Sequence, residues 1–416
     1  MADGVASRAR HREKLLTLPG VRSVRRPADA GCPAFDLAYV RTGGTRRGPT
    51  VVVVPGGPGL ASVVPYARLR ARAEALGADV LMVEHRGVGM SRTDVDGHDL
   101  PASALTVTDV VEDVVAVLDA EGIGAAVVYG SSYGSYVAQA LGARHPDRVA
   151  GLVLDSAMLS ADDRHTVRRT TRQTLWWGHV EETRRVAAKL RTLVRDGVVT
   201  TAGASVVAQL VYELSGPRTL EVLLDQVHVG RGLRAWRRLE TMASREVEKV
   251  TPFVMELDLV GVIAMRELAY APTPDGLPFD PGEGFAGLAA RFPPFESETL
   301  DLEAALPSAP WPVVVLSGER DLRTPRVIAE RIVDRAPHGV LVPLPGVGHS
   351  VLDTRPAAFL RVVEALSEGG IDAVVAARAA ITAAAADVPV MSVDRIVRTL
   401  MLVDRVLPAV RVLPGR

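Results

Sequence analysis

Six short, mostly apolar runs separated by helical patterns constrain the fold of this chain more than any other feature of its sequence. The runs cover residues 50–55, 79–85, 125–130, 149–157, 311–319 and 340–346. Strands with one face in water alternate apolar and polar residues, whereas strands buried on both faces are apolar almost throughout, as these runs are. Helical patterns lie between most of them, such as Thr108 to Glu121, for which Thr108 is the predicted N-cap. The alternation predicts an α/β fold in which a mostly parallel sheet is flanked by helices.

Length, charge and cysteine content limit the classes of protein to consider. The 416 residues exceed one small domain, and 48 basic against 49 acidic residues give no reason to expect a nucleic acid or another polyanion as partner. The single cysteine, Cys32, excludes a disulfide framework. The first 16 residues carry charges where a signal peptide needs an apolar run, and no stretch has the roughly 18 uninterrupted apolar residues of a membrane-spanning helix. We therefore expect a cytoplasmic protein without an integral membrane segment.

The run at 125–130 leads into Gly130-Ser131-Ser132-Tyr133-Gly134, a G-x-S-x-G sequence that passes directly into a helical pattern. A serine at such a strand-to-helix turn is held in a strained, exposed position known as a nucleophile elbow. The alternative is an ordinary turn built from small residues, because short glycine patterns are common. The strand-to-helix context favours the elbow, so we predict that Ser132 is a nucleophile.

A serine nucleophile needs a base, and the base needs an acid that orients it. Among nine histidines, His349 lies just past the end of the last apolar run, at the edge of a parallel sheet where functional residues collect. Asp321 follows the preceding run, and Glu319, two residues earlier, is the alternative acid at the strand end. The order serine, aspartate, histidine is that of α/β-hydrolases. We therefore predict a triad of Ser132, Asp321 and His349.

The loop Pro55-Gly56-Gly57-Pro58-Gly59 follows the first apolar run. Acyl transfer places negative charge on the carbonyl oxygen of the substrate, and backbone N–H groups that already point at this oxygen stabilise the charge. Glycines leave room for the substrate beside such groups. We predict that the amides of Gly57 and Tyr133 form this oxyanion hole. A tight surface turn would explain one glycine but not the series.

With these residues in place, the chain resembles the proline iminopeptidase family, serine aminopeptidases of the α/β-hydrolase fold that include tripeptidyl-aminopeptidase-like members. The resemblance covers roughly residues 30–365 and rests on the glycine loop, on "EHRGVGMS" at 84–91 and on "GSSYGS" at 130–135. The chain departs from the family pattern at three places. Proline replaces the loop histidine at 55, Glu-His replaces Asp-Gln at 84–85, and serines replace elbow glycines at 131 and 135.

The resemblance also implies one substrate-binding residue. Glu267, within "MRELAYAP", is similar in position to the acidic residue that receives the free α-amino group of the substrate in this family. From the residues alone, Glu267 is one acid among many in its region, and a surface salt bridge is the default interpretation.

The segment order predicts the domain organisation of an α/β-hydrolase fold with an inserted helical cap. Residues 34–44 predict an antiparallel edge strand, and the core is expected to comprise residues 1–158 and 309–370. Residues 159–308 read as helices over a length that no ordinary loop reaches, and a few aromatic side chains of this cap should line an apolar pocket at the serine. The sequence of residues 371–416 predicts an amphipathic C-terminal extension. We favour docking of this extension on the chain itself or on a partner subunit over binding to a membrane surface.

Three functional hypotheses follow. The main one is a serine hydrolase that releases N-terminal residues from peptides through an acyl-enzyme, and the second is a carboxylesterase or another hydrolase of small acyl compounds. A non-catalytic receptor with the same fold is less favoured, because all three triad residues are present. Neither a metal-ligand cluster nor a dinucleotide fingerprint is found, so we expect no cofactor and no metal. The expected partner is a small peptide or a small-molecule acyl substrate, with a homo-oligomer through the cap or the C-terminal extension left open.

Overall fold

A computed structural model describes residues 2–43, 47–248, 250–387 and 393–406, and an eight-stranded sheet lies at its centre. The strands are β1 (Val21–Arg26), β2 (Phe35–Arg41), β3 (Arg47–Val54), β4 (Ala78–Val83), β5 (Ala126–Ser131), β6 (Val149–Asp155), β7 (Val313–Gly318) and β8 (Gly339–Leu344). They follow the order β1-β2-β4-β3-β5-β6-β7-β8. Strand β2 is antiparallel to both neighbours, and every other pairing is parallel. The predicted mostly parallel sheet is confirmed.

Both faces of this sheet are covered, which explains the continuous apolar runs. The helices near the sheet are α1 (Ala2–Leu16), α2 (Ala67–Ala75), α3 (Val107–Ala120), α4 (Tyr133–Arg144), α13 (Arg326–Arg335), α14 (Val351–Thr354), α15 (Pro356–Ala376) and α16 (Arg378–Ala385). In β3, Val52 and Val54 pack with α3, α4 and α13, whereas Val51 and Val53 pack with α2 and α15. Successive residues of a strand point to opposite faces, so each run must be apolar at every position.

Two local predictions were wrong. The strand at 34–44 is antiparallel but does not lie at the edge of the sheet, because β1 pairs with β2 from Val21 opposite Val40 to Arg26 opposite Phe35. Strand β1 has the sequence VRSVRR and is largely solvent-facing, so a search for apolar runs overlooks it. Helix α3 is capped by Thr106 rather than Thr108, because the Thr106 hydroxyl accepts the Asp109 N–H at 3.0 Å.

A helical region, called the cap below, is inserted between β6 and β7. It contains α5 (Asp163–Arg172), α6 (Arg184–Arg195), α7 (Thr201–Ser215), α8 (Pro217–His228), α9 (Leu233–Glu248), α10 (Leu257–Arg266), α11 (Ala286–Ala289) and α12 (Leu302–Ala305). The cap has its own apolar core, which includes Leu190, Val211 and Trp236. The fold is therefore a layered core with a helical region above the carboxyl ends of the strands.

The C-terminal extension contacts both parts of the fold where it is described; residues 388–392 and 407–416 lie outside the described residues. Helix α16 buries Ile381 against the sheet face that α15 covers. The last helix, α17 (Val393–Val406), buries Val397 and Met401 in the core of the cap. Within the described ranges, no helix is both long and apolar enough to cross a membrane.

Asp404 joins α17 to the cap, and its removal should destabilise the protein. Its buried carboxylate accepts the N–H groups of Arg234 and Ala235 at the start of α9, both at 3.0 Å. We expect Asp404→Ala to lower the free energy of unfolding by about 1–3 kcal/mol, because two amides at a helix N-terminus lose their acceptor. Thermal and urea unfolding would measure the loss.

Asp394→Ala is the matched control on the same helix. Asp394 makes an i, i+4 ion pair with exposed Arg398 at 3.0 Å and accepts no helix N-terminal amide among the described residues, so about 0.3–0.5 kcal/mol is expected. Equal losses in the two variants would contradict the inference that Asp404 attaches α17 to the cap.

Candidate active site

The turn between β5 and α4 places Ser132 at the carboxyl edge of the sheet. Its backbone has φ 53° and ψ −118°, a region that residues with a side chain rarely adopt. The Ser132 N–H donates to the carbonyl oxygen of Asp155 at 2.8 Å. A side chain at Gly130 would overlap the backbone of Gly134, and a side chain at Gly134 would overlap the backbone of Val54. The glycines of the elbow are therefore required by close packing between strand and helix.

The structure brings Ser132, His349 and Asp321 together, although they are far apart in the sequence. The Ser132 Oγ lies 2.9 Å from His349 Nε2. On the other side of the ring, His349 Nδ1 lies 3.0 Å from both carboxylate oxygens of Asp321. A carboxylate can only accept, so Nδ1 carries the hydrogen and Nε2 is left to accept the serine proton.

Asp321 is held by its own loop. Its carboxylate accepts the N–H groups of Arg323 and Thr324 at 3.0 and 2.9 Å, and the Thr324 hydroxyl at 2.8 Å. The alternative acid, Glu319, is exposed and accepts the Gly346 N–H at 2.7 Å instead. The structure thus places Asp321, and not Glu319, beside the histidine.

Electrostatics in this group favour a charged pair. Burial lowers the pKa of His349, but the charge and hydrogen bond of Asp321 outweigh burial, so the net pKa lies above its ordinary value. Burial raises the pKa of Asp321, but the contacts with His349 and Thr324 outweigh it, and the net pKa lies below its ordinary value. Asp321 is therefore ionised at neutral pH and can stabilise a protonated His349.

The predicted oxyanion residues lie beside Ser132. Gly56 and Gly57 line the same cavity as Ser132 and His349, and a side chain at Gly56 would come within 3.3 Å of the Ser132 Cβ. Gly57 has φ 123°, which favours glycine. Tyr133 is the first residue of α4, where an amide has no acceptor within its own helix. Both amides are thus positioned by elements that adjoin Ser132.

The glycine loop and the segment that follows it are held by contacts that sequence reasoning missed. Buried Glu84 accepts the N–H groups of Ser62 and Val63 at 2.7 and 2.9 Å. From the cap, the Glu256 N–H donates to the Gly59 carbonyl at 2.9 Å. Glu84 belongs to the EHRGVGMS motif at 84–91, so a structural role for it could have been predicted from the sequence. The contact from the cap has no local sequence signal.

Asp155 was also missed, and it connects the elbow with the histidine loop. Its carboxylate accepts the N–H groups of Val351 and Leu352 at 2.9 and 3.0 Å, and the Ser131 hydroxyl at 2.9 Å. Ser131 lies 2.9 Å from the hydroxyl of Ser350, the residue after His349. The serine that replaces an elbow glycine at 131 is thus part of this network. The sequence signal that could have identified Asp155 is an acid at the end of an apolar run, the same signal that identified Asp321.

His85 is buried with both ring nitrogens bonded to groups other than the Ser132 hydroxyl, so the structure places His349 and not His85 beside Ser132. Its Nδ1 lies 2.5 Å from the carbonyl oxygen of Arg86, which can only accept, so Nδ1 carries the hydrogen. Its Nε2 therefore accepts the Tyr133 hydroxyl at 2.8 Å. Burial lowers the pKa of His85 to about 4.

A cavity of about 380 Å³ opens at Ser132 and His349, between the core and the cap. Its apolar lining includes Met158, Val206, Leu210, Leu257, Tyr270 and Phe285. Three acids also line it, and each has a partner. Asp163 pairs with Arg331 at 2.6 Å, Asp280 pairs with Arg168 at 2.8 Å, and Asp353 accepts the Tyr66 hydroxyl at 2.6 Å.

The structure does not bring Glu267 to this cavity, although Leu268 and Tyr270 line it. The Glu267 carboxylate accepts the Val107 N–H at 3.0 Å, the Thr299 hydroxyl at 2.9 Å and the Arg266 guanidinium at 2.9 Å. It follows the end of α10 and meets the N-terminus of α3, where helix amides attract a negative charge. In this structure, the Glu267 carboxylate therefore joins the cap to α3 and does not face the cavity.

No group of three or more histidine, cysteine, aspartate or glutamate side chains is arranged to hold a metal ion in the described ranges.

Comparison with known proteins agrees with the fold. Residues 49–197 match a family model described as the alpha/beta hydrolase fold. The chain therefore has the α/β-hydrolase fold, with the helical cap inserted after β6. A proline iminopeptidase of Neisseria meningitidis is 33% identical over 121 residues, which are 29% of this chain and 36% of that protein. A proline iminopeptidase of Neisseria gonorrhoeae is 32% identical over 121 residues.

These relatives confirm the resemblance to proline iminopeptidases over the matched stretch, and the chain spans 36% of their length. A solved proline iminopeptidase from Mycobacterium smegmatis has a TM-score of 0.48 and 20% identity, over 86% of this chain and 100% of that chain. The solved protein VinJ has a TM-score of 0.49 and 19% identity, over 84% of this chain and 99% of that chain.

The contacts of Glu267 predict a role in stability. We expect Glu267→Gln to lower the free energy of unfolding by about 1–3 kcal/mol, because the Arg266 guanidinium loses its counter-charge and the amide of glutamine accepts fewer hydrogen bonds. Thermal and urea unfolding would measure the loss. Glu296→Gln is the control, since Glu296 is exposed on the same cap, and a loss of equal size there would contradict the assignment.

Proposed function

We propose that this chain is a serine hydrolase in which Ser132 attacks an acyl group and forms an acyl-enzyme. The observation that carries the proposal is the hydrogen-bonded series from Ser132 through His349 to Asp321, which opens into the cavity beside the glycine loop. A serine with a base at hydrogen-bond distance, and a base with an orienting acid, is the arrangement that activates a hydroxyl as nucleophile.

The reaction proceeds in two halves. As Ser132 Oγ bonds to the substrate carbonyl carbon, His349 Nε2 takes its proton, and the imidazolium is stabilised by Asp321. The carbonyl oxygen becomes negative and accepts the N–H groups of Gly57 and Tyr133. His349 then gives the proton to the leaving amine or alcohol, and the acyl-enzyme remains. A water molecule repeats the sequence, releases the acid and restores the Ser132 hydroxyl.

For the substrate, we propose the release of N-terminal residues from peptides. The support is the identity of 33% with a proline iminopeptidase over 121 residues and the glycine-loop and elbow motifs that carry the resemblance. A free N-terminus at neutral pH carries an ammonium group, which needs a counter-charge inside an apolar cavity. Glu267 is bonded outside the cavity, so this counter-charge would come from a carboxylate that lines the cavity, such as Asp280 or Asp163.

A second candidate, a carboxylesterase or another hydrolase of small neutral acyl compounds, is favoured by the cavity itself. The lining is mainly apolar, and its three acids are paired with arginine or with hydroxyl groups. A neutral ester requires no counter-charge, and the proposed triad acts on esters and amides alike.

The identity of Ser132 as the nucleophile can be tested by labelling. We expect a fluorophosphonate probe to modify Ser132 and Ser132→Ala to lose both labelling and turnover, because only an activated serine reacts with such a reagent. Peptide mapping identifies the modified residue. Ser160→Ala is the control, since Ser160 lines the same cavity but donates to Glu298 at 2.8 Å, and it should still be labelled. An adduct on any other serine would overturn the assignment.

The two substrate classes can be separated with three chromogenic compounds: an amide of a free amino acid, its N-blocked counterpart and a neutral ester. An aminopeptidase should hydrolyse the free-amino amide at least tenfold faster than the blocked one, because loss of a charge-assisted hydrogen bond costs roughly 1.5–3 kcal/mol. Ester turnover without amide turnover supports the esterase. If the unlabelled protein hydrolyses none of the three compounds although the probe does modify Ser132, the result counts against both substrate classes.

A further inference from the structure

A second buried carboxylate lies behind the acid of the proposed triad. Glu213 belongs to cap helix α7 and is 2% exposed. Its carboxylate accepts the Leu322 N–H and the Arg323 Nε–H, each at 3.2 Å. Leu322 and Arg323 directly follow Asp321, so this cap helix is bonded to the loop that carries the acid.

Glu213 also adjoins the loop that carries the histidine. A side chain built on Gly348, the residue before His349, would lie 2.5 Å from the Glu213 carbonyl oxygen and 3.0 Å from its Cβ. The backbone of α7 at Glu213 therefore packs directly against this loop. One cap residue thus contacts two of the three core loops that carry the proposed triad, those of Asp321 and His349.

The contacts of Glu213 suit an ionised carboxylate. Its hydrogen-bond partners among the described residues all donate: the Leu322 N–H, the Arg323 Nε–H and the amide of Gln209 at 3.2 Å. A carboxylate can accept all three of these hydrogen bonds. Burial and the negative charge of Asp321 raise the pKa of the Glu213 carboxyl, the charge of Arg323 lowers it, and the net pKa lies above its ordinary value. The Arg323 guanidinium is thus the main positive charge that stabilises the ionised form of Glu213.

We propose that Glu213 and Arg323 form a charge pair that controls how readily His349 accepts a proton, with Glu213 favouring the imidazolium and Arg323 opposing it. The proposal rests on the proposed function, in which His349 is the base. Glu213 acts as a positioning residue, because it contacts the loops of Asp321 and His349 and not the reacting atoms.

The charges around His349 make this role physically reasonable. Asp321 contacts the ring directly, Glu213 adds a second negative charge from the cap, and Arg323 supplies the positive charge. Charges in a buried site interact more strongly than in water, so a charge beyond the first contact still affects the imidazolium. Arg323 also lines the cavity, which places one member of the pair where substrate enters. The cap would then supply part of the electrostatics of the triad as well as the walls of the cavity.

The test uses two substitutions that remove opposite charges with little change of shape. Glu213→Gln removes a charge that favours imidazolium, so His349 stays deprotonated to lower pH and the acidic limb of kcat/KM should move to lower pH. Its plateau kcat should fall roughly three- to tenfold, because the imidazolium formed in the reaction loses support. Arg323→Gln removes the opposing charge, so the same limb should move to higher pH.

The second measurement does not depend on turnover. An NMR titration of the His349 ring proton, assigned by its loss in His349→Gln, reports the protonation of His349 in the wild type and in each variant. Titration midpoints of His349 that move in opposite directions in the two variants support the charge pair. This holds even if no substrate is hydrolysed, and in that case only the proposed function fails. An unchanged midpoint in both variants, with reduced kcat in Glu213→Gln, would overturn the proposal and leave Glu213 as a packing contact.

Thermal unfolding distinguishes a misfolded variant from an informative one. If Glu213→Gln does not fold, Arg323→Gln carries the test alone, because the Arg323 side chain is 44% exposed and unfolding measurements show whether the variant tolerates the lost counter-charge of Glu213. A midpoint that stays in place or moves to lower pH in Arg323→Gln would then overturn the proposal.

Discussion

Ser132 leaves β5 with φ 53° and ψ −118°, a conformation that costs a residue with a side chain about 1–3 kcal/mol. Contacts on both sides stabilise it: the Ser132 N–H donates to the Asp155 carbonyl at 2.8 Å, and the Ser135 hydroxyl donates to the Ser132 carbonyl at 2.5 Å. The turn directs the hydroxyl out of the sheet toward His349. Without this turn, strand β5 would continue and Ser132 would remain in the sheet, between the helices that cover its two faces.

The same packing accounts for the places where the chain departs from the family pattern. Ser131 replaces a glycine, but its hydroxyl bonds to Asp155 and so ties the elbow to the histidine loop. His85 replaces a glutamine and holds the hydroxyl of Tyr133, whose amide is proposed to bind the oxyanion. A buried polar group is stable only with a partner, and each of these replacements has one.

The cap contributes to the site as much as the sheet does. It supplies most of the apolar wall of the cavity, it bonds to the glycine loop through the Glu256 N–H, and it meets the acid loop through Glu213. The C-terminal helix α17 in turn buries Val397 and Met401 in the core of the cap. Changes remote from Ser132 in sequence therefore act on the geometry around it.

The sequence by itself determined the parallel sheet and the candidates Ser132, Asp321 and His349. Buried strands must be apolar at every position, and functional residues follow strand ends in a set order, so both signals are local. Only the tertiary structure decided the positions of Glu267 and Glu213. Both residues are glutamates and both lie on the cap. One carboxylate is bonded to α3 and the other to a loop 109 residues away in sequence. No local pattern encodes the direction of a side chain across such a distance, because it follows from how the cap packs on the core.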